Sequence, residues 1–359
     1  MDRKSISFFI VGLVTGVLAA TAGFSALLRS KNIAKENQMY KTSNQDSQDN
    51  QDKQNNNVNK IVLKLSHGLD QKHPVHIAME FMAKRLKELS DGKVELQVFP
   101  SGQLGNETDN IAQLQRGALA MTKTSAAPME SFIPEMAVFS IPYIFRNETH
   151  YWNVLDSPLG KEMLKLGDAK GLHGLCYYDS GSRNFYTIKK PVLTPDDLKG
   201  LKIRVMNSRT SMDMVEALGG QPTPIPWGEL YTALQQGLVD GAENNPPSFY
   251  TNRHYEVCKY FSFDEHTRIP DILMISTKVW SRLSPEVRKW VQQAADDSSK
   301  FQRKLWKEKT TEAVEEVKKF GVKIYYPDKK PFVEKVRKMH KRYEGTKIGE
   351  LLKKIAETE

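Results

Sequence analysis

Ile61-Val62-Leu63-Lys64-Leu65 reads as a short strand, and His76 to Leu89 follows it with Ile77, Met79, Phe81, Met82, Leu86 and Leu89 at helical spacing until Asp91-Gly92 breaks the pattern. Val94 to Phe99 then alternates apolar and polar residues as a second strand, and Glu107 to Arg116 suits a helix closed by Gly117. Strand, helix, strand, helix in this order predicts an α/β architecture with largely parallel strands.

Further along the chain, Thr194-Pro195-Asp196-Asp197 supplies an N-cap, a proline at the first helical position and acids in the first turn, with Gly200 closing a very short helix. A strand follows at Leu201-Lys202-Ile203-Arg204-Val205, where Lys202 and Arg204 lie on the face opposite Leu201, Ile203 and Val205. An arginine in that place needs an anionic partner or water. Near the end, Ser284-Pro285-Glu286 opens a helix that runs through Trp290, Ala294, Phe301, Leu305 and Val314 to Gly321. At 1.5 Å per residue it is roughly 50 Å long, more than one small lobe needs, which points to a bilobed body.

Before Ile61 the composition changes. Residues 30–59 are rich in Asn, Gln, Asp, Lys and Ser with almost nothing apolar to bury, so they are expected to form a disordered polar linker. Residues 1–29 hold an apolar run from Ile6 to Leu28, flanked by Arg3 and Lys4 on one side and Arg29 on the other. Its length suits a membrane anchor, and Ala20-Thr21-Ala22 keeps cleavage as a signal peptide the alternative.

The whole chain has 359 residues, 39% hydrophobic and 26% charged, far too polar for a multi-span membrane protein. The net charge of +9 is spread among acids, which suits a solvated surface biased toward anions better than a nucleic-acid partner. Cys176 and Cys258 have no metal or redox spacing and read as buried thiols.

Nothing local suggests catalysis. Gly-x-Ser-x-Gly, Walker, Rossmann and zinc-type patterns are missing, and the His73-Pro74-Val75-His76 pair without nearby acids is a weak metal signal. No cofactor is called for. The polar residues that stand out suit an anion: Asp179-Ser180-Gly181-Ser182-Arg183-Asn184-Phe185 puts one arginine in a glycine-containing turn, and Arg204 lies shortly downstream. A planar guanidinium holds a carboxylate through two parallel hydrogen bonds, while the alternative is that either arginine pairs with a structural acid.

The stretch Gly228-Glu229-Leu230-Tyr231-Thr232-Ala233-Leu234-Gln235-Gln236-Gly237-Leu238-Val239-Asp240-Gly241-Ala242-Glu243-Asn244 resembles the signature of TRAP transporter substrate-binding proteins of the dicarboxylate-binding (DctP) family. Phe99 to Gly105, Ile141 to Phe145, Ser182-Arg183-Asn184, Leu198 to Val205 and Tyr255 to Tyr260 are similar too, in the family's order over about residues 61 to 330. The resemblance implies a two-lobed, periplasmic-binding-protein-like fold closing about a hinge, with the long helix across both lobes. The lobes would be 60–180 plus 271–308 and 181–270 plus 309–359. It implies that Arg204 makes the main carboxylate contact, Arg183 assists, Asn244 hydrogen-bonds the acid and Trp227 packs on it. Specificity positions fall by analogy at His67, His73, Glu107 and Ser125. Some sialic-acid binders carry an acid where this chain has Ser125, which turns the expectation toward uronates and small dicarboxylates.

Trp227 also reads as core, Asn244 as a cap or turn residue, Glu243 as the partner of a nearby basic group and His67 as a satisfied polar residue. The implied function is capture of a small organic acid outside the cytoplasm and delivery to TRAP membrane subunits, with membrane attachment through the N-terminal segment only. Two alternatives stand beside it: a sensor reporting to a signalling partner, and an enzyme acting on a sugar acid.

Overall fold

The computed structural model describes residues 60–359, so the apolar run and the polar linker lie outside the described residues. Among the described residues no helix is long and apolar enough to cross a membrane.

Eleven strands form two sheets among the described residues: β1 (Ile61–Ser66), β2 (Val94–Phe99), β3 (Met121–Ser125), β4 (Leu172–Tyr178), β5 (Arg183–Thr187), β6 (Lys202–Val205), β7 (Gln221–Pro224), β8 (Gly241–Asn244), β9 (Tyr260–Thr267), β10 (Asp271–Ser276) and β11 (Lys323–Tyr325). The first sheet has the order β2-β1-β3-β10-β4, and the second β11-β9-β5-β8-β6-β7. β1 runs parallel to β2 and β3, as the opening stretch predicts, and β10 enters antiparallel between β3 and β4. In the second sheet β6 runs parallel to β7 and β8.

Local chemistry sets the element ends. The helix Pro74–Leu89 begins where the His73 ring accepts the Val75 amide, with proline at the first helical position. The helix Glu107–Arg116 carries a reciprocal capping box between Asn106 and Asp109 and stops at Gly117, whose φ of 78° suits glycine. The helix Pro285–Lys319 starts from the Ser284 cap and, at 35 residues, spans about 52 Å. Its Val287, Val291, Ala294, Ala295 and Trp306 pack into the core of the first sheet with Leu65 and Leu273. Val317, toward its other end, packs into the core of the second with Tyr186 and Phe261. One continuous helix therefore serves two hydrophobic cores, and the fold is two-lobed.

The chain passes between sheets at Asp179–Ser182 and again at Arg268–Pro270. Arg183, expected in a flexible turn, is instead the buried first residue of β5. The turn before it is pinned by Gln302, which accepts the Asp179 amide at 2.7 Å and donates to the Asp179 carbonyl at 2.9 Å. The C-terminal helices divide between the lobes. Phe332, Val336 and Met339 of Lys330–Lys341 pack with Phe185 and Val205. Ile355 of Lys347–Glu357 packs with Tyr177 and Ile272 on the first lobe, whereas the resemblance implies that all of 309–359 belongs to the second. Its apolar stripe, Ile348, Leu351, Leu352 and Ile355, finds its partners there.

Candidate functional site

The carboxyl end of β6 faces the first sheet across a small cavity of about 40 Å³ lined by residues of both lobes. Six of the eight expected residues meet there: Glu107, Ser125, Arg183, Arg204, Trp227 and Asn244. Gly68, Glu107, Arg204, Met206 and Trp227 also line a wider vestibule of about 540 Å³, so the chamber and its mouth share a wall.

Arg204 is 2% exposed, yet no carboxylate of the described residues forms an ion pair with it. Its Nε donates to the Ile225 carbonyl at 2.8 Å, its guanidinium lies 5.7 Å from the Trp227 ring centre, and its Nη1 is buried with no acceptor. Burial pushes its pKa down. Two more buried donors in the lining are unpartnered, Trp227 Nε1 and Ser125 Oγ. An unsatisfied buried donor costs about 1–3 kcal/mol, more when charged, so three around one cavity mark a place built for acceptor atoms.

Arg183 is arranged differently. Its Nε and Nη2 donate to the Glu243 carboxylate, Nη2 also to the Glu243 carbonyl at 2.7 Å, and Nη1 to Asn244 Oδ1 at 2.9 Å. Glu243 is held down to about 2: burial opposes its charge, but the Arg183 guanidinium and the His266 imidazole outweigh it. His266 lies 2.7 Å from Asp264 and 3.4 Å from Glu243; against burial, these acids raise it to about 9. The alternative reading of a structural ion pair thus holds for Arg183 and not for Arg204. Asn244 Oδ1 also accepts the Asn245 amide at 2.9 Å, which fixes the carboxamide.

Trp227 belongs to the core and also lines the cavity. It packs against the cores of both lobes, touches Gly68 across the interface, where an added Cβ would sit 3.5 Å from its Cδ1, and walls the cavity.

His67 and His73 do not reach the cavity. His67 Nδ1 accepts the Leu69 amide at 3.1 Å, so Nε2 carries the proton and donates to His76 Nδ1 at 3.0 Å. It is a satisfied polar residue. His73, its Nδ1 occupied in capping, donates from Nε2 to Ser248 Oγ at 3.1 Å, and Ser248 lines the cavity, so His73 stands one bond behind it. Both rings are held well below the usual histidine range, by burial first and the Lys123 charge second.

The sequence reading missed Lys123, Asp271 and Ser248. Lys123 Nζ lies 3.1 Å from Asp271 and 3.5 Å from Glu107, whose Oε1 also accepts the Ser125 amide at 2.9 Å. Burial opposes the Lys123 charge, but the two acids raise it on balance. A signal existed for Lys123: two residues before Ser125 on one strand, it shares that residue's face. Asp271, opposite Ser125 in the β3–β10 register, gave none.

Other grooves are larger. One of about 560 Å³ beside β4 holds Lys161, Lys300 and Arg303, but Arg303 is paired with Asp156 at 2.7 Å. Volume does not select the site; an unpaired buried guanidinium does.

A two-lobed α/β body with a buried, unpaired guanidinium at the cavity between its lobes has the architecture of the periplasmic-binding type. Comparison with known proteins narrows this. The family described as bacterial extracellular solute-binding protein, family 7 (DctP), matches residues 65–346, and the chain belongs to it. A TRAP periplasmic solute-binding protein from Bradyrhizobium sp. BTAi1, in complex with α/β-D-galacturonate, is 42% identical, with a TM-score of 0.80 over 82% of this chain and 99% of that one. One from Anaerococcus prevotii with bound α/β-D-glucuronate is 36% identical, with a TM-score of 0.80 over 83% and 99%. The protein YiiZ of Salmonella typhimurium is 41% identical over 80% of this chain and 87% of its own length.

Proposed function

We propose that this chain captures a hexuronate or related sugar acid outside the cytoplasm, without chemical change, and hands it to TRAP membrane subunits. The observation that carries the reading is Arg204: a buried guanidinium facing the interlobe cavity with Nη1 unanswered. The ligand carboxylate would take Arg204 Nη1, with Ser125 Oγ, Trp227 Nε1 and Asn244 Nδ2 as further donors. Arg183 would position Asn244 rather than carry the main charge contact. A sugar acid is larger than 40 Å³, so it would fill the vestibule as well or enter as the lobes part. Ligand would then shift an open–closed equilibrium about the two strand connections and the helix Pro285–Lys319, which joins the lobes as well. The lobes would be 60–180 plus 271–308 and 181–270 plus 309–346, with the last helix returning to the first. The apolar run near the N-terminus would direct export and tether the body to the outer face of the membrane.

A thermal-shift screen against uronates, aldonates, aldarates, C4-dicarboxylates and 2-oxo acids tests this. D-Galacturonate or D-glucuronate at a hundred times its dissociation constant adds about 2.7 kcal/mol of stability. A panel in which no organic acid raises the melting temperature defeats the reading.

A further inference from the structure

The wall opposite Arg204 is built around Lys123. This ammonium is 3% exposed and shared between Asp271 at 3.1 Å and Glu107 at 3.5 Å. One cation between two carboxylates gives the first lobe's side of the cavity a formal excess of one negative charge, which burial of Asp271 opposes and Lys123 and Arg183 support. The second lobe's side holds Arg183, paired with Glu243, and Arg204, which forms no ion pair with any carboxylate of the described residues. The chamber is therefore polarised, positive toward β6 and negative toward β3 and β10.

We propose that this polarity makes the site selective for acids with one carboxylate and a hydroxylated far end, and that Glu107 and Asp271 are the residues that turn away a second carboxylate. The inference rests on the assignment of the ligand carboxylate to Arg204. Carboxylate oxygens accept from hydroxyls, and the Lys123 ammonium donates to hydroxyl oxygens, so this wall answers both faces of a polyol. A second carboxylate brings only acceptors and meets a cation already engaged twice. Like charges juxtaposed in a buried interface cost several kcal/mol, enough to decide between ligands of the same length. Uronates and aldonates fit this wall; aldarates and C4-dicarboxylates do not.

The test is calorimetric titration of the protein and two variants with D-glucuronate and D-glucarate, and with D-erythronate and meso-tartrate. Members of each pair differ in the carboxylate at the far end. In the unaltered protein the monoacid is favoured by about a hundredfold or more. Asp271→Asn and Glu107→Gln each release Lys123 from one partner, and each narrows the ratio by about tenfold or more, mainly through tighter diacid binding. The readout is the change in ratio between proteins, which a preference for ring shape alone leaves untouched. Glu107→Gln lies at the partly exposed rim and keeps the Lys123–Asp271 pair, so it tests the idea even where Asp271→Asn fails to fold. Ratios that stay the same in a folded variant overturn the proposal while leaving the carboxylate assignment intact. A protein that binds none of these acids overturns the assignment beneath it.

Discussion

Arg204→Ala raises the dissociation constant for the sugar acid by about thirtyfold to a few thousandfold, and the unliganded variant melts no lower than the unaltered protein. The first half follows from the cost of truncating one partner of a buried, hydrogen-bonded charge pair, roughly 2–5 kcal/mol. The second follows from what Arg204 lacks without ligand. Among the described residues its one side-chain hydrogen bond is the 2.8 Å contact from Nε to the Ile225 carbonyl, and Nη1 is buried with no acceptor. Removing it ends a desolvation cost that Glu243 and Glu107 relieve only at a distance and that no ion pair among the described residues offsets, so affinity falls without a matching loss of stability. Arg204→Lys retains the charge but not the planar fork and recovers only part of the affinity. Calorimetry with melting curves on the same samples checks both halves; a large fall in the melting temperature of free Arg204→Ala contradicts this account of the residue.

Glu243→Ala behaves in the opposite sense. It strips Arg183 of its carboxylate partner in a fully buried position and leaves His266 with Asp264 alone. Leaving one charge of a buried pair uncompensated costs about 3–5 kcal/mol, which lowers the melting temperature on the order of 10 °C in a body of this size. The network also sets a pH dependence. Glu243, depressed from 4.5 to about 2, contributes stability that is present above pH 4.5 and lost as pH falls through about 2. His266, raised from 6.5 to about 9, contributes stability that is complete below pH 6.5 and lost as pH rises through about 9. The network is therefore strongest between pH 4.5 and 6.5, and His266→Gln flattens the alkaline side of the melting profile. An alkaline slope unchanged in that variant refutes the assignment.

The contrast between the two arginines marks how far the sequence could be read. Both were singled out as carboxylate ligands, and both lie at the cavity, but only three-dimensional pairing shows that Glu243 occupies Arg183 and leaves Arg204 unmatched. The repeating strand and helix patterns from Ile61 to Arg116, the Thr194 cap with Gly200 and the long helix from Pro285 were legible because capping chemistry and apolar periodicity are local. Glu107, Ser125, Trp227 and Asn244 came from the resemblance and converge on one chamber. His67 and His73 did not, because each spends a ring nitrogen on a nearby backbone amide and the other on a side chain. Asp271 stayed hidden because it enters on β10 from far along the chain, where only sheet register brings it beside Ser125. The return of Lys347–Glu357 to the first lobe was hidden likewise, since an apolar stripe does not name its partner.

The most direct test is a crystal structure with D-galacturonate or D-glucuronate bound. The ligand carboxylate is expected on Arg204, with one oxygen about 2.7–2.9 Å from Nη1 and the hydroxyls turned toward Glu107, Lys123 and Asp271. A carboxylate seated on Lys123 instead, with Arg204 Nη1 still lacking an acceptor, contradicts it.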